Sequence, residues 1–240
     1  MVGGALNIFE FNSKVPFPLV PEEKYSYALA QAHSAKVDRW LGLETDKVEK
    51  ELETKGCRLR APNSKKGVQE LWIGLASKSL LTPYIEIRNI LNNLNPQVGD
   101  TIVDLGAGYG RMGFVIARHW PGVKFVGYEY SGERVRATLK CYENLEKNLL
   151  KLVHADLSDP EFVPARAQFY FIYDFGSRNA IRKTLHDLRR IAKDGPITVV
   201  GRGRSSRDLI ERQHPWLSKV VPPVHGPQST IYRSSYINET

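Results

Sequence analysis

The chain predicts an α/β fold, a mostly parallel sheet wrapped by helices, closed by an antiparallel hairpin and preceded by a helical extension. Three observations carry this. Thr101 to Gly113 runs from β-type residues through an acid into closely spaced glycines and then a helical pattern, a strand, tight turn and helix start. Between residues 101 and 201 short apolar strands alternate with amphipathic helical stretches, the order of repeated βαβ units. Near the C-terminus, Trp216 to Val221 and Thr230 to Tyr236, joined through Pro222-Pro223-Val224-His225-Gly226-Pro227, read as an antiparallel pair.

Residues 1–21 hold Phe9, Phe11 and Phe17 among Pro16, Pro18 and Pro21 with no sustained period, an irregular arm expected to pack its aromatics locally. From Glu22 to Lys55, Tyr25, Leu29, Ala32, Val37, Trp40 and Leu41 recur at roughly helical spacing before a charged run, predicting two or three helices with Gly56 ending the last. Arg58 to Gly67 is a polar loop, and a boundary there divides an N-terminal arm and helical extension (1–66) from the main domain (67–240). Val68, Leu71, Trp72 and Leu75 share one helical face. Thr82-Pro83 then opens a helix with a capping hydroxyl and a first-turn proline, and Tyr84, Ile87, Leu91 and Leu94 form its apolar stripe.

After the glycine turn, Arg111 to Trp120 continues as a helix that stops before Pro121-Gly122, and Val123 to Glu129 is a short strand ending in an acid. Ser131 caps a helix through Val135, Leu139, Tyr142 and Leu145, and Leu149 to His154 is the third strand. Gln168 to Tyr173 is apolar on both faces, so it belongs at the centre of the sheet. Arg178 to Lys193 is an amphipathic helix, Ile197 to Gly201 the fifth strand, and Arg202, Arg204 and Arg207 crowd the loop after that strand.

Composition bounds the function. The chain has 240 residues, 42% hydrophobic, and a net charge of +8. That charge is uneven: residues 177–240 hold 12 basic against 5 acidic side chains, which suits a nucleic acid or an acidic protein face, or simply a solvated surface. Two cysteines, Cys57 and Cys141, make neither a disulfide framework nor a zinc cluster, and the histidines are scattered, so no metal site is expected. No apolar run is long enough to span a membrane and the N-terminus lacks the features of a secretory signal. A soluble, cytoplasmic protein is expected, of unknown oligomeric state.

The glycine turn matches two cofactor patterns. Gly108-x-Gly110-x-x-Gly113, with Glu129 about twenty residues on, satisfies the dinucleotide fingerprint, in which free N–H groups at a helix start take a diphosphate. Asp104 pulls the other way, because a carboxylate at that position would repel a diphosphate.

Asp104-x-Gly106-x-Gly108-x-Gly110 resembles motif I of the class I S-adenosylmethionine (SAM) methyltransferases. The resemblance extends over residues 82–236 through Glu129, Asp156 and Asp174. It implies a Rossmann-like seven-stranded sheet with SAM as cofactor. Asp104 then lies near the methionine end, Glu129 accepts from the ribose hydroxyls and Asp156 accepts from the adenine amine. Tyr84, on the helix before the first strand, is a candidate for the cofactor edge, with a core tyrosine as the competing reading. Tyr173, Asp174 and Phe175 would lie where the methyl is delivered, or Asp174 would cap the next helix.

More narrowly, Ala155 to Ser205 is similar to the non-SET protein-lysine methyltransferases of the disruptor-of-telomeric-silencing type. Asp156-Leu157-Ser158-Asp159-Pro160, the aromatic fourth strand ending near Phe175-Gly176 and the amphipathic helix after it carry that likeness. Where that family typically has asparagines, this chain has Tyr173 and Asp174. The expectation is direct in-line methyl transfer to a protein lysine. An RNA or small-molecule methyltransferase, and an NAD-dependent oxidoreductase or non-catalytic nucleotide binder, stand as alternatives. The fourth strand lacks the Asn/Asp-Pro-Pro-aromatic grip of enzymes that methylate exocyclic amines of nucleic acids.

Overall fold

The computed structural model describes residues 10–54, 81–143, 145, 148–219 and 221–234. Helices α1 (Tyr27–Leu41), α2 (Thr45–Thr54) and α3 (Tyr84–Leu94) precede an alternating run. That run is β1 (Thr101–Leu105), α4 (Arg111–His119), β2 (Lys124–Glu129), α5 (Gly132–Tyr142), β3 (Leu150–His154), β4 (Phe169–Tyr173), α6 (Arg178–Ile191), β5 (Thr198–Arg202) and α7 (Arg204–Gln213), closed by β6 (Val224–His225) and β7 (Ser229–Arg233).

The seven strands lie in the order β3-β2-β1-β4-β5-β7-β6. β1 to β5 pair in parallel, and β7 runs antiparallel to both β5 and β6. The Rossmann-like mixed sheet with helices at its N-terminal side is therefore the architecture expected. Because the order reverses direction between β1 and β4, the loops after these two strands diverge and leave a crevice at their C-terminal ends.

Alternate strand residues feed two cores, as the pleat requires. Ile102, Phe125, Phe171 and Val200 face the side covered by α3, α4 and α5. Val103, Leu105, Tyr170 and Val199 face α6 and α7. The helices ahead of residue 55 join the first core through Val37, Leu43, Val48 and Leu52, with α1 packed on α3 and α2 on α5.

Several local expectations give way to longer-range partners. Phe17 packs on Tyr84 and Phe11 on Trp40, so these arm aromatics bind the helices rather than one another. Thr82 does not cap α3: Pro83 is its N-cap residue, and the Tyr84 N–H donates to Ser34 Oγ of α1 instead. The stretch from Trp216 is not a strand. Pro215–Leu217 is a 3-10 turn, β6 has only two residues, and β7 pairs chiefly with β5, with Thr198 opposite Arg233. The prolines on either side of Val224 leave few N–H groups for a ladder. The polar stretch after β5 is not a loop but α7, which buries Leu209 and Ile210. Phe9, Gly56, the 58–67 loop and the 68–79 helix lie outside the described residues.

Candidate active site

A cleft of about 540 Å³ opens at the C-terminal ends of β1, β2, β4 and β5. That volume is in the range of pockets that enclose a small ligand. The glycine turn forms its floor. Gly106, Gly108 and Gly110 have φ of 89°, 57° and 56°, the left-handed region where a side chain is strained. A Cβ on Gly106 would also stand 2.8 Å from Phe175 Cβ, so the turn and the end of β4 can approach this closely only with glycine there.

The donors of this turn are largely spoken for, contrary to the free N–H groups its sequence suggests. Gly106 and Ala107 both donate to the Tyr128 carbonyl, Gly110 donates to Ala107, and Gly108 donates to Glu129 Oε2 at 2.8 Å. The turn is thus fastened to β2 rather than open to an anion.

Of the residues singled out in the sequence, Asp104, Gly106, Gly108, Glu129, Asp156, Tyr173 and Phe175 line the cleft. Gly110 lies just behind it, its carbonyl accepting from the Tyr142 hydroxyl at 2.5 Å. Tyr84 is not brought to the cleft: it is fully buried and its hydroxyl donates to Asp38 Oδ1 at 2.8 Å. Asp174 is turned away as well. Its carboxylate accepts from the Ser205 and Ser206 N–H groups and from Ser206 Oγ, capping α7, while its own backbone sits at φ 33°. The helix it caps is α7 and not the next one in the chain.

Three arginines also stand in the wall: Arg111 and Arg134, which sequence reasoning missed, and Arg202, which it noted only as part of a basic cluster. Each is neutralised from behind by a carboxylate on a helix that precedes β1. Arg111 donates to Asp38 of α1 at 2.5 and 3.2 Å. Arg134 donates to Glu49 of α2 at 2.9 Å, and its other nitrogen to Glu129 Oε1 at 3.2 Å. Arg202 donates to Glu86 of α3 at 2.6 and 3.0 Å, and its guanidinium lies 4.0 Å over the Tyr173 ring. No spacing rule would have found these pairs; only the arginine cluster around residue 202 was visible.

With the arginines paired, the acids set the polarity of the cleft. Among the described residues Asp104 has no ion-pair partner, and burial, reinforced by Glu129, pushes its carboxyl up to about 7. A carboxyl so raised is ready to be re-ionised by an arriving cation. Glu129 is buried and held by the Gly108 and Ser131 N–H groups. Asp156 Oδ1 accepts from Ser158 N and Oγ at the cleft's far rim. Among the described residues there is no cluster of groups suited to a metal ion, and no helix is long and apolar enough to cross a membrane.

No protein-family model and no curated protein matches the chain. Solved structures do. The pyocyanin biosynthetic protein PhzM is 17% identical over 62% of this chain and 53% of its own, with a TM-score of 0.49, so the chain spans about half its length. An RNA methyltransferase from Salinibacter ruber, solved with S-adenosylhomocysteine, is 21% identical over 66% of this chain and 95% of its own, TM-score 0.46. A SAM-dependent methyltransferase from Aquifex aeolicus is 14% identical over 62% and 88%, TM-score 0.45.

Proposed function

We propose that this chain is a SAM-dependent methyltransferase. One observation carries the reading: a cleft whose arginines are neutralised from behind leaves Asp104, Glu129 and Asp156 to set a negative field beside a glycine floor. SAM is cationic at its sulfonium and its ammonium, so such a field favours it. A dinucleotide would bring a diphosphate against the same acids and a turn whose N–H groups at Gly106, Ala107, Gly108 and Gly110 are already used.

The residues fit the group. Asp104 would take the ammonium, Glu129 the ribose and Asp156 the adenine, with Gly106 and Gly108 admitting close approach of the backbone. When bound, SAM supplies a methyl on sulfur to a nucleophile placed in line with it. Tyr173 and Phe175 wall the end of the cleft nearest β4, where their rings would shield the reacting atoms from water.

Calorimetry with S-adenosylhomocysteine tests this. The wild type is expected to bind it and not NAD, and Glu129→Ala or Gly108→Val to weaken binding at least tenfold. Wild-type-like affinity in both variants, or binding of NAD alone, would overturn the assignment.

For the acceptor, the surface beside the cleft favours a nucleic acid. Helices α6 and α7 start beside the cleft at Ser177 and Arg202 and run away from it: Arg178 and Arg204 stand at that near end, while Arg212, ion-paired like Arg178 with Asp208, and Arg182 and Arg189, by His214, extend the basic face along the helices. Arginine is the cation best matched to phosphate oxygens. Exocyclic amines are the less suited targets, since β4 lacks the proline-rich grip for them. A protein lysine is the other acceptor to test. That reading rests on the likeness over Ala155 to Ser205, from which Tyr173 and Asp174 depart; with Asp174 occupied by α7, the groups left to receive a lysine are the aromatic walls Tyr173 and Phe175. Labelled SAM incubated with a lysate separates the two: label lost to nuclease supports nucleic acid, label lost only to protease supports protein.

A further inference from the structure

The geometry points to Glu49 and Arg134 as positioning residues of the cofactor site, so that the N-terminal helices set the aim of the ribose-holding carboxylate. This rests on the methyltransferase reading. Glu129 ends β2 at a turn, where its side chain would swing freely if nothing held it. Three groups hold it: Gly108 N–H on Oε2 at 2.8 Å, Ser131 N–H on Oε1 at 2.9 Å and Arg134 on Oε1 at 3.2 Å. The two N–H groups belong to backbone that any sequence supplies. Arg134 is the side-chain member, and it lies in the first turn of α5 on a long stem that needs an anchor.

Glu49, from the middle of α2, anchors it, accepting Arg134 Nε at 2.9 Å and Nη2 at 3.4 Å. Glu49 is itself 5% exposed and also accepts the Tyr109 hydroxyl, at 2.9 Å, from the glycine turn. The guanidinium is therefore a planar bracket between two buried carboxylates, one in the cleft and one behind it. Lysine, a compact ammonium without the planar fork, cannot hold both in this fixed geometry. Because the group it steers meets the ribose, the bracket should act on recognition of the sugar hydroxyls and not on the rest of the cofactor.

The test compares S-adenosylhomocysteine with its 2′-deoxy analogue by calorimetry, in wild type, Glu49→Gln and Arg134→Lys, with melting temperature followed alongside. The wild type should prefer the ribose compound by tenfold or more. Both variants should bind it about tenfold more weakly while their affinity for the 2′-deoxy compound, which keeps only the 3′-hydroxyl, falls clearly less, so that the preference narrows. A merely structural role would lower both affinities together or only the melting temperature, and that result overturns the inference. Should Glu49→Gln fail to fold, Arg134→Lys, which leaves the bond from Tyr109 to Glu49 in place, decides alone. A wild type that binds neither compound removes the methyltransferase reading and this inference with it. A wild type that binds both equally overturns the inference alone.

Discussion

Asp104 shows how a single side chain can cost stability in the service of a ligand. Its carboxyl is raised from 3.8 to about 7 by burial and by Glu129. Between those values the folded chain keeps a proton that the unfolded chain has lost, so this group's contribution to stability falls as pH rises through that window and is level above it. Asp104→Asn is therefore expected to raise the melting temperature of the ligand-free protein at pH 7.5, by about 2–4 °C if it recovers about 1 kcal/mol. The same variant should lose most of its affinity for S-adenosylhomocysteine. In the wild type that affinity should climb several-fold between pH 6 and 8 as the carboxyl ionises, and in the variant it should stay flat; a parallel climb in both would place the titrating group elsewhere. Asp104, Gly106 and Gly108 were legible because strand, turn and helix start are consecutive in sequence. Tyr84 stood open between cofactor edge and core, and the structure gives the core: its spacing reveals which face of α3 it occupies, while its hydroxyl partner Asp38 lies 46 residues away.

Among the elements, α7 depends most on a residue outside itself. Its N-cap position is Gly203, which offers no side chain, and the cap comes from Asp174 at the end of β4. Asp174→Ala should cost about 1–2 kcal/mol, the usual loss for a capping carboxylate, read as a lower denaturant midpoint with unchanged slope. Asp174→Asn should retain much of that stability, since an amide oxygen accepts the same N–H bonds; equal loss in both variants would mean the negative charge is what counts. This helix was illegible in the sequence for the same reason: it has few apolar residues to mark a period and its cap is 31 residues distant. The neighbouring Arg202–Glu86 pair, both buried, makes a heavier demand. Removing one charge with Glu86→Gln leaves the guanidinium uncompensated and should cost about 3–5 kcal/mol in chemical denaturation.

At the scale of the molecule, the mostly parallel sheet was readable because alternation of strand and helix, with an apolar β4 at the centre, admits few arrangements. The electrostatics were not. The bonds that quench the cleft arginines span 73, 85 and 116 residues, distances at which no local pattern survives. The outer face has its own expected signature. If the arginines of α6 and α7 meet phosphates, binding of a single-stranded RNA should weaken with salt at a log–log slope of about −3.5, as about five contacts would give. Reversing Arg182 and Arg212 to Glu should flatten that slope, whereas reversing exposed Lys36 and Lys50 on the far helices should leave it unchanged; equal effects would mark the attraction as one of net charge alone.

The three quenching carboxylates, Asp38, Glu49 and Glu86, all precede β1, although the crevice they tune is built mainly from β1 onward. A chain shortened to begin after α2 would keep every glycine and acid of the pocket, yet Arg111 would lose its carboxylate and Arg134 would lean on Glu129 alone. Its appetite would shift: sulfate and pyrophosphate should gain a hold that the full-length protein denies them, and the sulfonium nucleoside should lose part of its own, each read as a change in melting temperature.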